Sequence, residues 1–353
     1  MTNLDNMKEL KKLDPSDMLG NVLDVPEMVR KGIKLGQEAK LPASYKKIDK
    51  ILFTGLGGSA IGGDILKNLL SGNSAVPLTV NRNYFVPAWV DEKTLVIAVS
   101  FSGNTEETLS ASKDALAKKA KLLVVTSGGA LKKLAEEKGL PALLVPGGKP
   151  PRASLPYLFF PVLLALAQLG FIKVKNTELT ELVDKLESLK AAYGPEVKQD
   201  KNPAKKLALK LFAKPVIVFG SADLTDAVAT RWKCQLAENS KVFTFTCSVP
   251  EMNHNEIVSW ELLKKVLRKF AVLFLQDKKD LPQIKKRFKL SKEVIAKKAN
   301  WVGEVNSSGE SLLTRLFSLI YLGDFTSVYL AYLYGEDPTA IKIIEDFKNA
   351  LAR

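Results

Sequence analysis

The chain has 353 residues, 46% of them hydrophobic, which is enough for two domains of ordinary size with full cores. Lys and Arg number 52 against 38 Asp and Glu, a net charge of +14 that reads first as a solvated, Lys-decorated surface, second as attraction for small anions and third as nucleic-acid binding. No run reaches the roughly 20 uninterrupted apolar residues of a bilayer span, and the polar start Met1 to Leu13 lacks the apolar centre of a secretory signal, so neither membrane insertion nor export is expected.

In chain order, Ile51 to Gly55 reads as a short apolar strand running through Gly57-Gly58-Ser59 into a helix, Ala60 to Leu70. Strands follow at Leu78 to Asn81 and Thr94 to Ser100, the latter leading through Ser102-Gly103-Asn104-Thr105 into a helix that runs to Lys119. Leu122 to Thr126 and Ala142 to Val145 are further strands around a helix near Leu131 to Lys138, and Pro150-Pro151 opens a buried helix through Leu169. Helices of this length between strands imply right-handed crossovers and a parallel sheet. Thr177 to Lys214 is charged and helical and carries the chain to a second domain.

There the alternation restarts. Pro215 to Gly220 and Val242 to Thr246 are strands around a helix from Asp223 to Ala237; a helix lies near Asn255 to Trp260, and Val266 to Leu275 contains another strand. Leu312 to Tyr334 is a long apolar helix and Pro338 to Leu351 an amphipathic one. The expected fold class is therefore α/β, two parallel sheets flanked by helices, with a boundary between residues 175 and 176. The basic cluster Lys285-Lys286-Arg287-Phe288-Lys289 comes with no zinc-finger spacing and no RNA-recognition aromatic motif, so no nucleic-acid partner is expected. Cys234 and Cys247 form no CxxC pair, which suits a reducing cytoplasm.

Two loops could cradle an anion. Gly55-Leu56-Gly57-Gly58-Ser59-Ala60 fits the dinucleotide fingerprint, yet the next strand ends Asn81-Arg82-Asn83 without the ribose-binding carboxylate. Arg82 would suit a 2′-phosphate, which keeps a nicotinamide-dependent oxidoreductase as a rival. Ser100-Phe101-Ser102-Gly103-Asn104-Thr105 sets three hydroxyls and free amides at a helix N-terminus, where the dipole favours a phosphate. The bland reading is a capping box of Asn104 with Glu107. Two such loops at the carboxyl ends of parallel strands favour a ligand at that edge. Arg152 begins a helix, the wrong end for a cation unless it faces an anionic or electron-rich group.

The one histidine, His254, sits in the polar run Pro250-Glu251-Met252-Asn253-His254-Asn255-Glu256, which argues against an apolar setting. A lone His also rules out a multi-His metal site within one chain. Glu238 closes a helix in Ala237-Glu238-Asn239-Ser240-Lys241, and Lys348 lies on the last helix; each would ordinarily be a solvated surface group.

Together these stretches resemble the bifunctional phosphoglucose/phosphomannose isomerase family of the sugar isomerase (SIS) superfamily, over nearly the whole chain. The carrying segments are Asp14 to Leu19, GLGGSAIGGD from Gly55, SFSGNTEET from Ser100, PRASLPYL from Pro151, ENSK from Glu238 and PEMNHNEI from Pro250. The resemblance implies two SIS-type domains and an aldose–ketose isomerase of glucose 6-phosphate and fructose 6-phosphate, and leaves mannose 6-phosphate open as a third sugar. It implies that Ser59, Ser100, Ser102 and Thr105 hold the phosphate, with Gly57 and Gly58 letting the backbone approach. Glu238 would be the base and Arg152 would stabilise the charged intermediate. His254, supplied by the partner subunit of a homodimer, and Lys348 would assist ring opening. The family tail resembles DPTPVE, whereas this chain has Asp337-Pro338-Thr339-Ala340-Ile341-Lys342; Lys348 keeps the register and Lys342 is the alternative. Such an enzyme needs no redox cofactor, because the electrons stay in the substrate, and no metal if Arg152 supplies the positive charge. A non-enzymatic SIS sugar-phosphate regulator is the other rival; it would not need Glu238 and His254.

Overall fold

A computed structural model describes residues 2–351 and divides the chain into two compact units. One comprises Asp24–Asp184 with Ser311–Leu313; the other gathers the chain up to Leu23, Lys185–Glu310 and everything from Thr314. The division falls between Asp184 and Lys185, where the sequence pattern places it after residue 175, and the N-terminal segment joins the unit formed by the second half of the chain.

That N-terminal segment forms α1 (Met7–Leu13) and α2 (Met18–Leu23). Asp14 caps α2 by accepting from the N–H groups of Met18 and Leu19, both at 2.8 Å, and it also accepts the Tyr332 hydroxyl at 2.7 Å. The fully buried Lys205 donates to Asp5 at 2.9 Å and to the carbonyls of Pro195 and Val197 at 2.8 and 2.9 Å. A buried ammonium is tolerated only with its protons so engaged. These bonds explain why residues before Leu23 join a unit far along the chain.

The first sheet is parallel, in the order β2-β1-β3-β4-β5. Its strands are β1 (Lys50–Thr54), β2 (Leu78–Asn81), β3 (Thr94–Val99), β4 (Lys121–Thr126) and β5 (Ala142–Leu144). All six residues of β3 are buried, as expected of a central strand covered on both faces. The helices α3 (Val25–Gln37), α4 (Ile61–Ser71), α5 (Glu106–Ala117), α6 (Gly129–Lys138) and α7 (Leu155–Leu169) belong to this unit, and the division between units falls within α8 (Asn176–Tyr193).

In the other unit, α9 (Pro203–Leu211) precedes a four-stranded parallel sheet in the order β7-β6-β8-β9. Its strands are β6 (Val216–Ser221), β7 (Thr244–Val249), β8 (Ala271–Gln276) and β9 (Trp301–Asn306), with α10 (Asp226–Ser240), α11 (Lys264–Leu267) and α12 (Pro282–Ala296) between them. The chain closes with α13 (Leu312–Tyr334) and α14 (Lys342–Leu351). Among the described residues α13 is the one helix long and apolar enough to cross a membrane by composition, but its most apolar window is wholly buried. Arg315 on it meets the buried Asp277 at 2.9 Å. Such inward ion pairs mark a core helix.

Several expectations shift. The 177–214 helix breaks at Gly194-Pro195 into α8 and α9, and the strand read at 242–246 lies at 244–249. The helix expected at 255–260 is a pair of 3₁₀ turns, Glu251–His254 and Glu256–Trp260. The basic run 285–289 lies on α12, which buries Phe288, Ser291 and Ile295; its cations are the solvated face of a helix.

One buried group gives this unit a pH dependence. The Asp280 carboxyl is buried, its Oδ2 accepts the Asp277 N–H at 2.7 Å, and its Oδ1 has no hydrogen-bond partner. Burial raises its pKa against the opposing Ser221 hydrogen bond. A carboxyl raised on folding binds more protons when folded. Its contribution is therefore best below the unfolded pKa and is lost as pH rises through the folded value. Asp280→Asn is accordingly expected to raise Tm by on the order of a few degrees at pH 8. Thermal melts across pH should show the gain shrinking towards pH 4.

Candidate active site

The first sheet brings all the predicted phosphate-loop residues to one edge. Gly57, Gly58 and Ser59 follow the carboxyl end of β1, Ser100, Ser102 and Thr105 follow β3, and the Arg152 turn follows β5. The two loops are tied together: the Phe101 N–H donates to the Ser59 hydroxyl at 3.2 Å. Gly58 lies against the Arg152 turn so closely that a Cβ there would sit 2.9 Å from the Arg152 amide nitrogen. Any larger residue would push that turn away. Arg152 itself is buried, in the 3₁₀ turn Pro151–Ala153 just before α7. A buried guanidinium at the positive end of a helix calls for electron-rich company.

The hydroxyl loop is built tightly. The Ser100 and Thr105 hydroxyls are 2.8 Å apart, and Ser100 Oγ also accepts the Gly103 N–H at 3.1 Å. The exposed Ser102 accepts the Asn104 N–H at 3.3 Å. Gly103 has φ +70°, and a Cβ there would lie 1.8 Å from the Gly128 carbonyl oxygen; this turn accepts only glycine. Asn104 does not close the anticipated box with Glu107. Its side-chain oxygen accepts instead from the Ala130 N–H at 2.9 Å, and the N-cap of α5 is Thr105, which makes no side-chain cap bond. The first turn of α5 is thus left without a side-chain acceptor, as an anion seat requires. Asn104 braces the loop, and the capping box that was the bland alternative for this segment does not form.

Ser100→Ala with Thr105→Ala is expected to weaken phosphosugar binding by about 10- to 100-fold, the scale of losing hydrogen bonds to a charged group, while the fold persists. An unchanged KM and unchanged inhibition by inorganic phosphate would reduce the loop to a structural turn.

In the other unit, Glu238 is half-buried on the last turn of α10, just before Lys241, whose φ of +58° ends the helix. The Lys241 ammonium donates to the carbonyls of Asn239 at 3.1 Å and Asp337 at 2.5 Å. Since α10 returns the chain from the carboxyl end of β6 to the start of β7, Glu238 lies towards the amino end of that sheet. His254 follows the carboxyl end of β7. One strand length of about 15–20 Å separates those ends, so the structure does not bring Glu238 and His254 together within a chain. His254 is exposed, on a turn anchored by the buried Met252 and by Asn253, whose side chain donates to Ser291 Oγ at 2.7 Å. Lys348 is exposed on α14, and Lys342 pairs with Asp346 at 2.5 Å on the same helix.

Family profiles give this arrangement its class, that of the sugar isomerase domains. The SIS domain profile matches residues 44–138, and that of the bacterial phospho-glucose isomerase C-terminal SIS domain matches residues 200–351. The chain is 44% identical to the bifunctional phosphoglucose/phosphomannose isomerase of Caldicellulosiruptor bescii over 95% of its own length and 99% of that protein. The same-named protein of Thermoplasma volcanium is 34% identical over 91% of this chain and 98% of the relative. The chain belongs to the bifunctional phosphoglucose/phosphomannose isomerase family. The fold is also that of a glucose-6-phosphate isomerase like protein from Thermus thermophilus, with TM-score 0.66, 20% identity, and coverage of 97% of this chain and 99% of that one.

Proposed function

We propose that the chain interconverts glucose 6-phosphate and fructose 6-phosphate, and accepts mannose 6-phosphate, by proton transfer through a cis-enediol. The observation that carries this reading is that family identity spans 95% of the chain, including the unit with Glu238 and His254 as well as the hydroxyl loops. A binding-only regulator would need the loops alone. The oxidoreductase rival loses its support at Arg82, which is paired with Asp64 on α4.

In the proposed mechanism, Ser59, Ser100, Ser102 and Thr105 with the α5 amides hold the phosphate. His254 and Lys348 serve ring opening. Glu238 removes the C2 proton and returns it to C1. Arg152 stabilises the negative charge developing on the enediolate oxygens. Glucose and mannose 6-phosphates differ only at C2, so one base serves both if the open chain turns about its C2–C3 bond.

A homodimer is part of the same proposal. Glu238 and His254 lie towards opposite ends of one sheet, and the exposed His254 is preceded by two anchored residues, Met252 and Asn253. Both features suit a histidine delivered to a neighbour. A cytoplasmic location suits two cysteines that are not joined in a disulfide. The test is incubation of purified protein with fructose 6-phosphate after exhaustive chelation. Both aldose phosphates should form; activity that vanishes on chelation and returns with zinc would contradict the metal-independent route.

A further inference from the structure

Glu238 occupies the last turn of a helix whose buried face is unusually polar. From α10, Arg231 donates to Asp324 through Nε at 3.1 Å and Nη2 at 2.8 Å, and the Gln235 amide donates to the same carboxylate at 2.9 Å. One turn further on, Asn239 Nδ2 donates to Ser327 Oγ at 2.9 Å, and the Ser240 hydroxyl donates to the Ser327 carbonyl at 2.6 Å. Ser327 Oγ in turn donates to the Asp324 carbonyl at 2.8 Å. Arg231, Gln235, Asn239, Ser240, Asp324 and Ser327 are all buried.

An apolar seam between two helices is non-directional and permits small slides and rotations. A ladder of directed bonds fixes both the register and the azimuth of α10 on α13. Its final rung holds the two residues directly after Glu238. A base that serves two adjacent carbons loses rate when misplaced by about 1 Å, because reacting atoms must be held at near-attack distance.

We propose that Ser327 is a positioning residue for the reaction: it accepts Asn239 and Ser240 so that the carboxylate of Glu238 is presented at a fixed angle. The inference rests on the reading of Glu238 as the base.

The experiment compares Ser327→Ala, Ser327→Thr and Glu238→Gln in steady-state isomerisation of fructose 6-phosphate, with folding followed by circular dichroism. Ser327→Ala should lower kcat by about 10- to 100-fold and leave KM within about twofold, because no phosphate contact changes. Ser327→Thr keeps the hydroxyl and should restore most of kcat. Should the alanine variant not fold, Asn239→Leu with Ser327→Ala removes both partners, leaves neither unpaired, and should show the same kcat loss in a folded protein. A folded Ser327→Ala or double variant with wild-type kcat, beside an inactive Glu238→Gln, overturns the positioning role alone. An active Glu238→Gln overturns the base assignment and the inference with it.

Discussion

Glu238→Gln is expected to lower kcat for fructose 6-phosphate by about three orders of magnitude, within the range for removal of a general base, with little change in the affinity for a phosphorylated inhibitor. The amide keeps the shape of the side chain and its place on the last turn of α10, so binding at the hydroxyl loops should survive. In the terms of mutant kinetics, the lost interaction is one made only on the way to the transition state. Stopped turnover with retained inhibitor binding distinguishes this from unfolding, which would abolish both. Exchange of the C2 proton with solvent is the sharper readout: near-normal exchange in this variant would exclude Glu238 as the base.

The second large effect concerns sharing of the site between subunits. Homodimers of Glu238→Gln and of His254→Ala should each be impaired at every site. A two-fold axis that pairs Glu238 of one subunit with His254 of the other creates two equivalent composite sites. In a mixed dimer one site collects both lesions and the other collects none. Equal amounts, refolded together at random, should give about half mixed dimers and restore about a quarter of all sites. Activity at fixed protein concentration would therefore rise from nearly nothing to roughly a quarter of the wild-type value. A mixture that stays at the parental level despite proven mixed dimers would place His254 within its own chain, or outside the reaction. The distance between the two ends of β7 makes the first of those alternatives the harder one to satisfy.

The first sheet was legible because β1, β3 and β4 are largely apolar runs that lead into glycine or a cluster of hydroxyls. β3, buried along its whole length, leaves no ambiguity of period. β9 was not legible: Trp301-Val302-Gly303-Glu304-Val305-Asn306 is a half-exposed edge strand with Gly and Glu in its middle. α12 was hidden by its lysines, since only Phe288, Ser291 and Ile295 of it are buried, with Ile284 packed partly against the same core. The loops that follow β1 and β3 could be placed from strand order alone, but their bracing could not. That Asn104 reaches Ala130 rather than Glu107, and that Gly58 lies on the Arg152 turn, are long-range contacts with no local signature. Likewise, Asn239 and Ser240 read as the polar end of a helix. Only the packing of α13 shows that both point inwards to Ser327. The site's chemistry is thus written in short segments, and its precision comes from helices far apart in sequence.

The central claim is proton transfer between C1 and C2 of a hexose phosphate, and isomerisation in deuterium oxide tests it most directly. Fructose 6-phosphate converted by the purified chain should yield glucose 6-phosphate carrying solvent deuterium in part at C2, because the proton held on Glu238 exchanges with solvent in competition with its return. The label is read as a reduced C2 proton signal by nuclear magnetic resonance, and labelling should fall in step with turnover in Glu238→Gln. Wild-type labelling and turnover retained in Glu238→Gln, or no aldose phosphate at all, would contradict the account.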